Sequence, residues 1–230
     1  MARAEAANNL RSPNGRWLAV IPVSLGLAIA SLLLFAWLAD AVLAQRILYF
    51  DESVRSVVHQ HSFPQLTACM RVITNLGDWY VVLSATIALL FLFWYRGARD
   101  YIRLLLVTMI GAGILDGVLK LVFHRARPDP FFGAKPNTYS FLSGHALVSL
   151  CFYALIAGML SFRLQKSWQR VAVWAAAVSL IGSIGLSRIY LGVHWPSDVL
   201  AGYAAAMMWM GAVRLLAKRL EERLLQKVAQ

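Results

Sequence analysis

The sequence predicts an all-α polytopic membrane protein, a bundle of about six transmembrane helices. Three observations indicate this fold class. Apolar residues make up 60% of the 230-residue chain and charged residues only 14%. The mean hydropathy is +0.62. Long uncharged runs recur along the chain, and most basic residues stand in the gaps between these runs. A soluble domain of this length carries more charge and shorter apolar runs.

The formal net charge of +11 raises the alternative of a nucleic-acid-binding protein. The basic residues do not cluster on one polar element, however, and their placement between apolar runs is typical of membrane topology. We therefore expect the bilayer, and no nucleic acid, as a partner. Cys69 and Cys151 are the only cysteines; they have no metal-ligand spacing and are not expected to form a disulfide.

The chain begins with a polar segment, residues 1–16, which predicts a cytoplasmic N-terminal arm. An uncharged run from 17 to 39 follows and would span about 34 Å as a helix. Arg16-Trp17 fits an interfacial anchor at its start. A cleaved signal peptide is the alternative, because Val42-Leu43-Ala44 resembles a cleavage site. The apolar run is too long for that interpretation.

Residues 45–78 are mixed and mildly amphipathic, which predicts short helices on the extracytoplasmic surface of the membrane. His59 and His61 stand two residues apart in this segment. A metal-binding pair is one interpretation, and a pair of exposed polar histidines is the favoured one.

Five further spans are predicted over residues 79–95, 101–123, 140–162, 171–186 and 199–213. The span over 101–123 is exceptional, because Asp116 and Lys120 fall within its final turns. Residues 17–214 thus form one six-helix membrane domain without internal repeats, followed by a basic cytoplasmic tail over 215–230.

Orientation follows from the basic residues, which are more frequent on the cytoplasmic side. Because successive spans cross the membrane in opposite directions, the arm and the segments 96–103, 163–170 and 214–227 lie on the same face. These segments hold most of the basic residues. That face is therefore predicted to be cytoplasmic, with both termini on it. The reactive stretches then lie on the opposite face, which in a bacterial inner (cytoplasmic) membrane is the periplasmic or exterior side.

The first reactive stretch runs from Lys120 to Pro128 in the pattern KxxxxxxRP. Lys120 and Arg127 are two helical turns apart and would share a face if the helix persists that far. Asp116 is one turn before Lys120 and would pair with it, which limits the cost of two charges at membrane depth. The alternative is a lysine that merely extends to the interface, but Arg125 crowds the same place.

The second stretch is Ser143-Gly144-His145, at the start of the fourth span. A helix N-terminus offers unpaired N–H groups that suit phosphate. Glycine allows close approach, the serine hydroxyl adds a donor, and the histidine can transfer a proton. Taken alone, the tripeptide is explained better by a helix-capping serine beside an unrelated histidine.

The third stretch runs from Ser187 to Asp198 and contains SRxxxxxHxxxD. His194 followed by Asp198 suits a phosphoryl-accepting nucleophile, because the imidazole attacks through one nitrogen while the carboxylate orients it through the other. Arg188 supplies a planar, permanently charged fork for phosphate oxygens.

The order and spacing of these three stretches resemble the motifs of the type 2 phosphatidic acid phosphatases, which are relatives of the vanadium haloperoxidases. The family pattern is KxxxxxxRP, PSGH and SRxxxxxHxxxD, and the matching residues lie between Lys120 and Asp198. Leu142 stands where the family usually has proline, a change that removes no reacting group. The six-helix layout is similar to the lipid-phosphatase branch, whereas the haloperoxidases are soluble.

The resemblance implies a metal-independent lipid phosphate phosphatase without a cofactor. His194 would be the nucleophile that forms a phosphohistidine, Asp198 would orient it, and His145 would be the general acid and base. The implied phosphate-binding residues are Lys120, Arg127, Ser143, Gly144 and Arg188. Consistently, Asp198 is the only acidic residue in the three motifs, whereas a two-metal phosphatase needs several carboxylates or histidines around each ion.

A site at the outer membrane edge would select a lipid that carries its phosphate at the interface. Candidates are phosphatidic acid, phosphatidylglycerol phosphate, lipid A phosphates and polyprenyl diphosphates such as undecaprenyl diphosphate. Six aromatic residues would line a tail entrance or belong to an interfacial belt: Trp79, Tyr80, Phe131, Phe132, Tyr139 and Phe141.

Three other functions fit parts of the pattern. A lipid phosphoryl transferase would use the same phosphohistidine and pass the group to another lipid. A non-catalytic lipid-phosphate binder or transporter would need the cations but not His145, His194 and Asp198. A vanadate-dependent oxidase is disfavoured by the membrane spans.

Overall fold

The structure is a computed structural model that describes residues 23–133 and 136–229, with side chains described up to Arg219. These residues form eight α-helices and no strand, which confirms the all-α class. In chain order the helices are α1 (Leu25–Leu43), α2 (Leu48–Gln60), α3 (Pro64–Asn75), α4 (Trp79–Tyr95), α5 (Arg99–Phe123), α6 (Gly144–Arg163), α7 (Ser167–Tyr190) and α8 (Pro196–Ala229). The predicted arm and the start of the first predicted span lie outside the described residues.

Five helices are long and apolar enough to cross a membrane: α1, α5, α6, α7 and α8. The helix α4 has 17 residues and qualifies only together with α3, from which it is bent by 44°. The described residues therefore hold five or six candidate spans, in agreement with the expected bundle of about six. Apolar helices of this length identify a multi-pass membrane protein.

The helices α6 and α8 lie in the middle of the bundle. In α6, 61% of the apolar window is buried, against 17% in α5, whose apolar side chains mostly face outward. Small residues on α8 allow this close packing: Ala201, Ala204, Ala205 and Ala206 are all fully buried. The helix α1 packs against α8, where a Cβ added to Gly211 would come within 2.4 Å of the Ala28 Cβ.

The connection after α5 corrects one expectation. The helix ends at Phe123, and His124 adopts a left-handed conformation with φ 46°. Arg127 therefore lies in a segment without regular secondary structure and does not continue the helical face of Lys120. The expected ion pair within the helix is confirmed, since Lys120 Nζ donates to Asp116 Oδ2 at 2.7 Å.

The predicted surface segment contains α2 and α3. His61 is exposed as expected, but His59 is half-buried, and its ring stacks on Phe131 with centroids 3.7 Å apart. The expectation of two exposed histidines is wrong for His59, because its ring packs against the loop after α5. The two cysteines are unpaired; Cys69 is exposed and Cys151 is buried.

The six aromatic residues do not form one surface. Phe141 is fully buried and packs on Phe123 with centroids 4.5 Å apart, so it faces the core and does not line an entrance. Phe131 and Phe132 are half-buried; Phe131 stacks on His59 of α2, and Phe132 stacks on Tyr190 at the end of α7. The exposed aromatic residues of the set are Trp79, Tyr80 and Tyr139.

Replacing Gly202 with alanine tests the contact between α8 and the start of α6. The new Cβ would stand 2.7 Å from the carbonyl oxygen of Ser143, and a backbone atom does not move aside easily. We expect the variant to lose about 1–3 kcal/mol of stability, measured by thermal unfolding in detergent. Gly182→Ala is the matched control, because its Cβ meets no atom within 4 Å; equal melting temperatures for the two variants would contradict the assigned packing.

Candidate active site

The second and third motifs meet where α8 crosses the start of α6. The N–H of Ser143 donates to the carbonyl oxygen of Asp198 at 3.0 Å. This approach requires Gly202, as described above. The loop before α6 is held by burial, since both Phe141 and Leu142 are fully buried. The leucine that replaces the usual family proline therefore contributes to the core.

His194 lies at the centre of the site and is only 2% exposed. Its Nε2 accepts a hydrogen bond from Arg127 Nη1 at 2.9 Å, and its Nδ1 lies 3.5 Å from Asp198 Oδ2. A guanidinium can only donate, so Nε2 carries the lone pair and Nδ1 carries the proton that faces the carboxylate. This is the tautomer that a nucleophilic Nε2 requires.

The protonation state of His194 agrees with this tautomer. Burial lowers the pKa of His194 to about 3, and the positive charge of Arg127 acts in the same direction, while the hydrogen-bonding contribution of Asp198 opposes them. The imidazole is therefore neutral at neutral pH, and its lone pair is available.

Asp198 is fully buried and accepts hydrogen bonds at both carboxylate oxygens. Arg125 Nη1 donates to Oδ1 at 2.6 Å. The hydroxyl of Ser140 and the N–H of Trp195, at 3.0 Å for the latter, donate to Oδ2. These partners hold the carboxylate in place beside the imidazole and offset the cost of burying its charge.

Arg127 also holds the loop that precedes α6. Its Nε and Nη2 donate to the carbonyl and hydroxyl oxygens of Thr138 at 2.7 and 2.8 Å. Nη1 donates to the carbonyl oxygen of Val193 at 2.8 Å. Burial lowers the pKa of the Arg127 guanidinium, but an arginine keeps its charge at neutral pH. Its cation is thus fixed directly beside His194.

The second histidine has a carboxylate partner that the motifs do not contain. His145 Nε2 lies 2.9 Å from Asp78 Oδ1, and Asp78 belongs to the break between α3 and α4. Asp78 also accepts a hydrogen bond from the Tyr80 hydroxyl at 3.0 Å. The site therefore contains two carboxylate–histidine pairs, His194 with Asp198 and His145 with Asp78.

Two further cations of the predicted set are close enough to these histidines to interact with them electrostatically: Arg188 with His145 and His194, and Lys120 with His145. Arg188 Nη1 donates to Thr74 Oγ1 at 2.7 Å. A Cβ added to Gly144 would stand 2.7 Å from Asp116 Oδ1, so the ion pair of Lys120 reaches the start of α6.

Two polar atoms of the predicted phosphate-binding set have no partner. Arg188 Nε and Ser143 Oγ are both buried without a hydrogen bond. Buried polar groups are normally satisfied, so unpaired donors beside three cations suit an anion such as phosphate. Among residues 23–133 and 136–229, no group of three or more His, Cys, Asp or Glu side chains could hold a metal ion.

Contacts thus connect all eight site residues predicted from the sequence to one region. Five further residues were missed: Asp78, Arg125 and Ser140, described above, and Asp51 and Ser197, which both accept hydrogen bonds from Arg125. Arg125 stands inside the first motif, where its charge was a visible signal. Asp51 and Asp78 lie in the amphipathic surface segment, residues 45–78, and nothing in their local sequence distinguishes them from exposed surface carboxylates.

Comparison with known proteins gives consistent matches. The model of the PAP2 superfamily matches residues 101–221. Phosphatidylglycerophosphatase B of Bacillus subtilis is 31% identical over 76% of this chain and 87% of its own length. Undecaprenyl-diphosphatase of Sulfolobus acidocaldarius is 28% identical over 67% of this chain and 72% of its own. The crystal structure of a transmembrane PAP2-type phosphatidylglycerolphosphate phosphatase from Bacillus subtilis superposes with a TM-score of 0.74 at 30% identity, covering 84% of this chain and 96% of that chain.

The depressed pKa of His194 predicts how stability depends on pH. The unfolded chain binds a proton at an ordinary histidine pKa of about 6.5, whereas the folded chain resists protonation down to about 3. The contribution of His194 to stability is therefore complete above pH 6.5 and is lost as the pH falls from about 6.5 towards 3, by up to about 1.4 kcal/mol per pH unit.

Thermal unfolding in detergent between pH 7 and 4 measures this effect. We expect His194→Asn to lose less stability than the native chain over that range, because asparagine does not titrate. Parallel curves for the two proteins would show that the imidazole is not buried in its neutral form.

Proposed function

The chain belongs to the PAP2 superfamily, and we propose that it is an integral-membrane lipid phosphatase that hydrolyses a lipid phosphate through a phosphohistidine at His194. The observation that carries this proposal is the position of the His194 ring between Arg127 at Nε2 and Asp198 at Nδ1. A neutral, oriented imidazole beside a fixed guanidinium has the requirements of a nucleophile for phosphorus.

In the first step, the lone pair of His194 Nε2 attacks phosphorus in line with the ester oxygen. The N–P bond forms as the P–O bond to the lipid breaks, and His145 gives its proton to the departing oxygen. The proton stays on Nδ1 and faces Asp198, whose negative charge stabilises the cationic phosphoimidazole. For this step the Nη1–H of Arg127, which donates to Nε2 of His194, would donate to a phosphate oxygen instead.

In the second step, His145, now unprotonated, accepts a proton from water. The resulting hydroxide attacks phosphorus, the N–P bond breaks, and its electron pair returns to His194 Nε2. Inorganic phosphate leaves, and His145 is protonated for the next cycle. Asp78 is placed to keep the imidazole of His145 oriented through both transfers.

The equatorial phosphate oxygens would be bound by residues from all three motifs. Arg127 and Arg188 supply guanidinium groups, Lys120 supplies an ammonium, and Ser143 and Gly144 supply a hydroxyl and backbone N–H groups at the start of α6. The unpaired Arg188 Nε and Ser143 Oγ support this assignment. None of these steps uses a metal or a cofactor.

Phosphatidylglycerol phosphate and polyprenyl diphosphate are the substrates that we place first. The relatives named above carry phosphatidylglycerophosphatase and undecaprenyl-diphosphatase in their names. Both lipids present a terminal phosphoryl group with a second phosphate behind it. A site at the end of membrane helices can reach such a group while the lipid tail stays in the bilayer.

We propose that the site faces the periplasm or exterior of a bacterial inner membrane, with both termini in the cytoplasm. Residues 17–214 would form the membrane phosphatase domain, residues 45–78 its extracytoplasmic surface, and residues 1–16 and 215–230 cytoplasmic extensions. The distribution of basic residues supports this orientation.

Phosphate release by the purified protein in detergent, with a chelator present, tests the reaction. We expect turnover of phosphatidylglycerol phosphate, phosphatidic acid or a polyprenyl diphosphate, and no activity above background in His194→Ala. Release that survives loss of His194, or no release from any of the three lipids, would contradict the mechanism. Transfer of phosphate to a second lipid without release would favour the transferase.

The role of His145 is tested by comparing two leaving groups. An alkoxide needs a proton to depart, whereas the polyprenyl phosphate released from a diphosphate is a weak base. In His145→Ala, we expect phosphatidylglycerol phosphate hydrolysis to fall about 10²–10⁴-fold. With the diphosphate, phosphohistidine should form and then accumulate, because water is no longer activated. If the rate of phosphohistidine formation fell equally for both substrates, His145 would be excluded as the acid.

Thiol labelling tests the orientation. In a Cys69→Ser background, Asn137→Cys places a thiol on the exposed loop before α6, and Gln165→Cys places one between α6 and α7. A membrane-impermeant maleimide should label the first in intact cells and the second only after lysis. The reverse pattern would invert the proposed topology.

A further inference from the structure

Asp51 is a fully buried carboxylate that lies outside the three motifs. It is on α2 and also outside the segment 101–221 that the family model matches. Asp51 Oδ2 accepts hydrogen bonds from Arg125 Nη2 and from the Ser197 hydroxyl, both at 2.6 Å. Oδ1 accepts the N–H of Ser197 at 2.8 Å. The surface segment, residues 45–78, thus places a negative charge next to Arg125, the arginine that contacts Asp198.

The same arginine contacts both buried carboxylates. Arg125 donates through Nη2 to Asp51 and through Nη1 to Asp198, and its side chain is 13% exposed. One cation between two carboxylates leaves a net charge of −1. If Arg125 faced Asp198 alone, the pair would be neutral, and the carboxylate would stabilise a cationic His194 less well.

The helix α2 is fixed to the site along one face. Asp51, Arg55 and His59 follow at four-residue intervals, so their side chains lie on the same side of the helix. Arg55 donates to the carbonyl oxygen of Asp129, and its guanidinium lies 4.0 Å from the centroid of the Phe131 ring. The ring of His59 stacks on Phe131 and packs at a tilt against Phe132. The position of Asp51 is therefore set by three successive contacts.

We propose that Asp51 is a positioning residue of the phosphatase reaction, which acts through Arg125 to preserve the negative charge that Asp198 presents to His194. This inference rests on the proposed function. Asp51 touches neither the substrate nor the reacting atoms. Its effect is expected on the steps in which His194 is cationic, and so on kcat more than on KM.

A purely structural role is the alternative, because Asp51 also caps the first turn of α8 through Ser197. Asp51→Asn separates the two roles. Asparagine has the same shape and keeps one oxygen for the Ser197 N–H, but it removes the charge and makes the network with Arg125 and Asp198 neutral. Glu52→Gln is the matched control, since it removes the same charge from the adjacent, exposed residue.

The experiment measures kcat, KM, and the dissociation constant of orthovanadate by thermal shift. Orthovanadate mimics a phosphoryl group in transfer. A carboxylate in direct contact with a catalytic histidine affects kcat by about 10⁴-fold, and a partner one residue further away should affect it less. We expect Asp51→Asn to lower kcat about ten- to hundredfold, to leave KM within about twofold, and to weaken vanadate binding about tenfold. Glu52→Gln should match the native protein in all three.

A double variant gives the most discriminating result. In Asp51→Asn/Arg125→Gln, both charges are absent, and Asp198 again leaves the network with a net charge of −1. If the net charge of the network is what matters, kcat and vanadate affinity should both be about tenfold higher in this double variant than in Asp51→Asn. A structural role predicts that the double variant is worse than either single variant.

The outcomes separate this inference from the proposed function. Lipid phosphate release that requires His194, together with native-like kcat and vanadate affinity in Asp51→Asn, would overturn the role of Asp51 alone. The same conclusion would follow if the losses of kcat in the two single variants simply added in the double variant. It would also follow if Glu52→Gln lost as much kcat and vanadate affinity as Asp51→Asn. If the native chain releases no phosphate, the proposed reaction fails, and the vanadate affinities still decide the role of Asp51. A native chain that neither releases phosphate nor binds vanadate would overturn both.

Discussion

The buried carboxylate of Asp198 is the constraint on which the rest of the site depends. A fully buried charge needs hydrogen-bond donors, and the fold supplies them from three parts of the chain: the guanidinium of Arg125, the hydroxyl of Ser140 and the backbone N–H of Trp195. Meeting this requirement joins the end of α5, the start of α6 and the turn before α8. The same interactions leave His194 neutral, oriented and beside a guanidinium, so the cost of burying one charge also determines the geometry of the nucleophile.

The surface segment completes the site although it carries no motif. The break between α3 and α4 brings Asp78 to His145, and α2 brings Asp51 to Arg125. Each of the two site histidines therefore has a carboxylate beside it, and the charge of Arg125 is offset by acids from distant positions, Asp51 and Asp198. A site that must bind a multiply charged phosphate needs excess cations, and these cations stay close together only because carboxylates separate and orient them.

The helical bundle explains why these contacts are possible in a chain that is mostly apolar. Glycine and alanine on α8 let it approach α6 closely, so polar residues at the helix ends meet within hydrogen-bonding distance. Long apolar side chains on α1, α4 and α5 face outward instead, as lipid contact requires. The outward-facing surface of the helices is thus apolar, and the buried polar residues of the site meet at one end of the bundle.

The sequence by itself determined the helical membrane class, the approximate number of spans and the eight motif residues, because hydropathy and short-range spacing are local properties of the chain. It also predicted the pairing of Lys120 with Asp116, which lie one turn apart. It misjudged the path of Arg127, since the left-handed His124 ends the helix early, and the surroundings of His59 and Phe141. Only the tertiary structure decided that Asp51 contacts Arg125 and that Asp78 contacts His145, because these partners stand 74 and 67 positions away. Such pairings depend on how helices cross, and no local pattern of residues encodes that crossing.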